Sequence, residues 1–249
     1  VKHVLLISII LLCTQVFCTE YDEQKIVDSI KTKILTCTTT ARIQNVDLKY
    51  NLHSHALNYG SGSGQQAVTG LESDTDVGSL WTFKESSKDK MCLTGAPIPC
   101  GSSFRLEHMG TTKNLHSHQF QSPVSGRQEV SAFGDNGEGD EGDDWIIECK
   151  DSLIGDLIDG KTLFYLKHKV SSHYLTTDAR SMFTQQNCRN CPIVDQAEIS
   201  GTKAKNKRGL WKLVGGYFFA KDNLGDYGLG ELINDEEVNY DDDYMKEDL

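Results

Sequence analysis

The apolar positions begin as one run from Val4 to about Val16, preceded by Lys2 and His3, with Val16 and Cys18 at the two positions a signal peptidase reads. A run of about 13 residues is too short for a bilayer, which needs about 20, so residues 1–18 read as a secretory signal peptide. After a segment over 19–33 the pattern changes to short alternation. Phe104-Arg105-Leu106-Glu107-His108 and Phe164-Tyr165-Leu166-Lys167-His168 put apolar and polar side chains on opposite faces, and Gly, Asn, Asp and Ser clusters bound each run. Helical spacing is sustained only between Glu23 and Leu35. The body is therefore expected to be all-β.

The alternating pattern repeats. Asn51-Leu52-His53-Ser54-His55 returns as Asn114-Leu115-His116-Ser117-His118, an offset of 63. Cys37 maps to Cys100, Gln66 and Val68 to Gln128 and Val130, and Trp81 to Trp145 at nearly the same step. A weaker third copy runs through Phe164–His168, Tyr174-Leu175, Glu198-Ile199-Ser200 and Trp211. Each copy of about 60 residues holds about four short strands, and three such units stacked in a line would leave open edges. Closure about a threefold axis predicts a β-trefoil whose apolar strand positions and tryptophans fill one barrel.

These same residues carry a family resemblance. The tandem Leu-His-Ser-His, followed by Tyr59–Gly70 in one copy and Ser122–Asp140 in the next, each ending in Trp, resembles the MIR repeat of the stromal cell-derived factor two (SDF2-like) family. The resemblance implies a trefoil of three MIR repeats, over 34–89, 90–156 and 157–221. It also implies association with a luminal J-domain co-chaperone and a BiP-type chaperone acting on unfolded clients in protein quality control. MIR repeats occur in protein O-mannosyltransferases and calcium-release channels as well. The chain departs from the family in an insert over Met182–Pro192, a long acidic tail and a permuted terminal tetrapeptide.

Charge sharpens the reading of the ends. The 249 residues hold 25 Lys+Arg against 36 Asp+Glu, a formal net charge of −11 that argues against a nucleic-acid partner. Nine acids against Lys246 leave −8 between Glu231 and Leu249, and so −3 for the remainder. The tail over 222–249 is expected to be disordered and solvated, with weak calcium buffering as the functional alternative. Its end, Lys246-Glu247-Asp248-Leu249, is the endoplasmic-reticulum retrieval signal with its central acids exchanged. A protein of the endoplasmic-reticulum lumen is expected, secreted if that terminus is not read. No Asn-x-Ser/Thr sequon occurs, and no second apolar run suggests a membrane span.

Histidines at i and i+2 share one strand face, so with Leu52 and Leu115 in the core, His53, His55, His116 and His118 are expected to face outward. With Gln66 and Gln128, at matching places in the repeats, they are candidates for contacting a ligand or partner. The other reading is local hydrogen bonding that holds loops. Two imidazoles supply half a zinc site, but no third and fourth ligand stands at a recognisable spacing, so neither metal nor cofactor is expected. Repeat three carries Thr176 and Asp178 instead. Gly60–Gly64 reads as a turn rather than a phosphate loop, and Asp135–Asp144 as a solvated loop lacking EF-hand ligand spacing. No Gly-x-Ser-x-Gly elbow or paired acid and base stands out, so no catalytic residue is assigned and the protein is expected not to be an enzyme. A carbohydrate-binding trefoil, stacking Tyr59, Phe120 or a tryptophan on mannose-containing glycans, and an accessory role in O-mannosylation are the alternatives.

Six cysteines remain after Cys13 and Cys18 are removed with the signal, allowing 15 pairings. Antiparallel pairing brings the start of a repeat's first strand near the end of its last, which selects Cys37 with Cys92 and Cys100 with Cys149. Cys188 and Cys191, in a loop beside Pro192, are left as a local structural disulfide or a redox pair.

Overall fold

The computed structural model describes residues 34–88 and 92–218. The predicted signal peptide, the 19–33 segment and the acidic tail with its retrieval-like end lie outside them. Twelve strands form among the described residues, and the alternating runs at 104–108 and 164–168 lie in two of them. They are β1 Thr40–Asn45, β2 Asn51–Asn58, β3 Gln66–Leu71, β4 Leu80–Glu85, β5 Ser103–His108, β6 Asn114–Gln121, β7 Gln128–Phe133, β8 Trp145–Cys149, β9 Phe164–His168, β10 Tyr174–Met182, β11 Ala197–Thr202 and β12 Trp211–Tyr217. Among the described residues no helix is long and apolar enough to cross a membrane.

Six strands close a barrel through antiparallel pairings β1–β4, β4–β5, β5–β8, β8–β9, β9–β12 and β12–β1. The other six form hairpins β2–β3, β6–β7 and β10–β11, whose second strands pair as a triangle, β3–β7, β7–β11 and β11–β3. This is β-trefoil topology, and it leaves no strand of the barrel with a free edge.

Alternation decides what fills the barrel. Phe83, Phe104, Leu106, Ile147, Phe164 and Leu166 point inward with Trp81, Trp145 and Trp211, all essentially without solvent contact. Each indole N–H donates to the carbonyl of the leucine opening its own hairpin: Trp81 to Leu52 at 2.9 Å, Trp145 to Leu115 at 2.9 Å and Trp211 to Leu175 at 3.1 Å. At the end away from the hairpins, irregular segments plug the barrel with Leu35, Ile98 and Ile158, linked by Leu35 N–H to Ile158 O at 2.7 Å and Ile98 N–H to Leu35 O at 3.0 Å.

The same end carries two disulfides, Cys37–Cys92 and Cys100–Cys149, spanning 55 and 49 residues. The third, Cys188–Cys191, spans three residues in the β10–β11 loop. Phe183 and Ile193 of that loop form a small apolar cluster with Tyr59 and Ala67 of the β2–β3 hairpin. Cross-linking stabilises mainly by limiting the unfolded chain, by about 4 kcal/mol for a 50-residue loop and roughly 1–2 kcal/mol for the short one. Urea denaturation should therefore show a much larger loss for Cys100→Ser with Cys149→Ser than for Cys188→Ser with Cys191→Ser. Equal losses would show that loop closure is not the source of the stabilisation.

Candidate functional site: the histidine pairs and the junctions between units

Strand alternation puts His53 and His116 on the face opposite Leu52 and Leu115, yet the structure corrects the expectation that they meet solvent: they are 4% and 5% exposed. A short 3₁₀ turn before each barrel tryptophan, Val77–Ser79 or Glu141–Asp143, folds across that face. His53 Nδ1 lies 3.3 Å from Ser79 Oγ, and His116 Nδ1 lies 2.9 Å from Asp143 Oδ1. Gly78 and Gly142 are required at the turn, because an added Cβ would come within 2.6 Å of His53 Cε1 or 2.3 Å of His116 Cε1. Where unit three has Thr176 for the histidine, Gly209 stands in place of Ser79 and Asp143. His55 and His118 are half-buried: His55 Nδ1 is 3.2 Å from His53 Nε2, and His118 Nε2 is 2.9 Å from Glu129 Oε1.

Gln66 and Gln128 face a neighbouring unit. Gln66 Nε2 donates to Ser54 Oγ and Thr111 Oγ1, both at 2.8 Å; Gln128 Nε2 donates to Ser117 Oγ at 2.7 Å and Ser171 Oγ at 2.8 Å. Thr111 and Ser171 then meet His108 Nδ1 at 2.8 Å and His168 Nδ1 at 2.7 Å. The other ring nitrogens close the path by donating to Gly78 O and Gly142 O, each at 3.0 Å. Because a carbonyl only accepts, Nε2 carries the proton and Nδ1 receives the hydroxyl, so every donor points the same way along the chain of bonds. Each imidazole also packs on its tryptophan, Trp81 with His108 at 5.0 Å and Trp145 with His168 at 5.1 Å between centroids. At the remaining junction Asn45 substitutes for the histidine, donating from Nδ2 to Arg208 O at 2.8 Å while Oδ1 accepts from the N–H of Asp47 and Leu48.

Buried carboxylates hold the hairpin loops. Glu129 accepts from Ser63 N–H at 3.2 Å and from the Ser63 hydroxyl, which fixes the Gly60–Gly64 turn. Glu198 accepts from Val124 N–H at 2.7 Å and Ser125 N–H at 3.0 Å. His116, Asp140 and Asp143 bring one ligand atom each within 4.8 Å of one another. Asp143 already accepts from Asn114 Nδ2 at 3.1 Å and Asp140 N–H at 3.0 Å, and Asp140 from Gly142 N–H at 2.7 Å, so these oxygens serve a capped turn. Of the aromatic groups considered for sugar stacking, the three tryptophans and Tyr59 are buried, and only Phe120, 53% exposed beside His118, presents a ring.

The chain's MIR-domain match covers residues 47–191. It is 40% identical to human stromal cell-derived factor 2 over 77% of this chain and 85% of that protein. The chain belongs to this MIR-domain family. Among solved structures, the SDF2-like protein from Arabidopsis thaliana is 32% identical, with a TM-score of 0.69, covering 76% of this chain and 99% of that one. The S. cerevisiae protein O-mannosyltransferase Pmt1-Pmt2 complex bound to the sugar donor is 25% identical, with a TM-score of 0.63, over 75% of this chain and 26% of that chain.

Within this MIR trefoil, residues that received no role from sequence, His108, His168, Thr111, Ser171 and Asp143, prove central to the junctions. A signal for the turns was present. Asp76, Asp140 and Asn206 each stand five residues before a barrel tryptophan, and each caps its turn by accepting from the N–H two residues on.

Burial pushes His168 and His53 down to about 4 and lowers His108 as well. A neutral histidine with a depressed folded value binds fewer protons than the unfolded chain, so its stabilisation is complete above about pH 6.5 and is lost as pH falls toward 4. Urea midpoints should therefore drop across that window. His168→Asn, which copies the Asn45 solution, should flatten part of the drop, and an unchanged pH slope in that variant would remove His168 as a contributor. Gln128→Ala should cost about 1–3 kcal/mol by leaving the hydroxyls of Ser117 and Ser171 without their donor.

Proposed function

We propose that this MIR-domain protein is a non-catalytic binding module of the endoplasmic-reticulum lumen. In this reading it joins a J-domain co-chaperone and a BiP-type chaperone in complexes that hold unfolded clients for quality control. The observation that carries it is the family relationship, which spans most of the chain and is joined by the signal-like and retrieval-like ends in the sequence. The geometry supports it: the imidazoles and carboxylates that looked available for chemistry are committed to turns and unit junctions, which makes the trefoil a rigid platform rather than a reacting cleft.

A carbohydrate-binding role is the second reading, favoured by the exposed Phe120 ring beside half-buried His118. The likeness to the O-mannosyltransferase complex gives it context. Cross-linking and mass spectrometry of the native luminal complex should recover the two chaperone classes bound to this trefoil. Repeated recovery of neither, together with glycan-array binding that Phe120→Ala abolishes, would replace the first reading by the second.

A further inference from the structure

Three arginines from separate elements converge on one carboxylate. Asp178 on β10, with a side chain 5% exposed, is held by Arg180 through Nε to Oδ1 at 3.1 Å and Nη2 to Oδ2 at 2.8 Å. Arg127, in the β6–β7 loop, places Nη2 3.3 Å from Oδ2, and Arg208, in the turn Lys207–Gly209, places Nη1 3.1 Å from the same oxygen. Asp178 occupies the position that His55 and His118 hold in the other units, so such a cluster is centred only on the third unit.

The charges do not balance within the cluster. Glu198, on the paired strand, directs its oxygens to the backbone N–H of Val124 and Ser125. Counting both carboxylates still leaves one positive charge; counting Asp178 alone leaves two. The neighbouring 203–208 segment adds Lys203, Lys205 and Lys207, of which Lys205 and Lys207 are paired with Glu148 and Asp47. Side-chain exposures of 72% for Arg180, 40% for Arg208 and 29% for Arg127 keep all three arginines in contact with water.

The arrangement also carries a structural cost. In the other two corners of the hairpin triangle, Ser131 donates to Gln65 and Thr69 donates to Gln196. The symmetry-related hydroxyl, Ser200 Oγ, is buried without a hydrogen-bond partner among the described residues, because Arg127, which stands where those glutamines stand, cannot accept its proton and directs Nη2 to Asp178 instead. Like-charged guanidiniums held this close favour an added oxyanion, whose geometry matches their planar forks.

We propose that Arg127, Arg180 and Arg208 form a binding site for a tetrahedral oxyanion, the phosphate or sulfate ester group of a ligand. Asp178 is its positioning residue: its buried carboxylate holds the three forks together.

The test is NMR titration of the full chain with sodium sulfate, inorganic phosphate, O-phosphoserine and galactose 6-sulfate, with sodium chloride at matched ionic strength as control. Saturable shifts should appear at the Nε–H signals of the three arginines, and Arg180→Gln or Arg208→Gln, both at exposed side chains, should weaken binding about tenfold or more, equivalent to about 1.4 kcal/mol. The stronger of the two esters identifies the source of the group. No saturable response to any of the four anions, or a response that Arg180→Gln combined with Arg208→Gln leaves unchanged, would overturn the site.

Discussion

A buried indole N–H must be given an acceptor, and that requirement organises this trefoil. Each barrel tryptophan reaches the carbonyl of the first leucine of its own hairpin, which ties a wall strand to a cap strand three times over. The chain must enter each tryptophan from a tight angle, and the capped 3₁₀ turn before it provides the approach. In units one and two that turn lands on the hairpin face that carries the histidine, and its exposed carbonyl is taken by an imidazole of the next unit. The burial of His53 and His116 and the relays through His108 and His168 are thus consequences of where the tryptophans sit.

The strands, the three units and the tryptophan core were legible in the sequence because each depends on a period: two along a strand, about 60 along the chain. The site was only partly legible. Alternation states which side of a strand His53 occupies, but not what lies over that side, and a three-residue turn carries no periodicity to announce it. Gln66 and Gln128 were visible as a matching pair, while their partners Thr111 and Ser171 were not, since the bonds cross between units whose spacing only the closed barrel sets. The cap residues Asp76, Asp140 and Asn206 show that the missing information was present locally, in a residue type at a fixed distance from tryptophan.

Closure demands that every junction satisfy its buried polar groups, but not that the same residues do so. Two junctions use Gln, a hydroxyl and His; the third uses Asn45, whose shorter side chain reaches the equivalent carbonyl and takes two backbone N–H groups in place of one hydroxyl. The substitutions come in sets: Thr176 is accompanied by Gly209, and His116 by Asp143. Changing one member alone would strand a buried donor or acceptor, which costs more than the net worth of the bond itself. The units have therefore diverged set by set.

The hairpin triangle shows the same logic with the opposite chemistry. Two of its corners seat a loop on a buried glutamate, Glu129 or Glu198. At the third corner the equivalent residue is Ala67, which offers no acceptor, and the loop from unit three meets it instead with Phe183 and Ile193, packed against Tyr59. An apolar contact of four side chains cannot order an extended loop by burial alone, because each ordered residue costs roughly 1–2 kcal/mol of backbone entropy. The Cys188–Cys191 bridge limits that loop in the unfolded chain as well, a covalent constraint at the corner that lacks a carboxylate anchor.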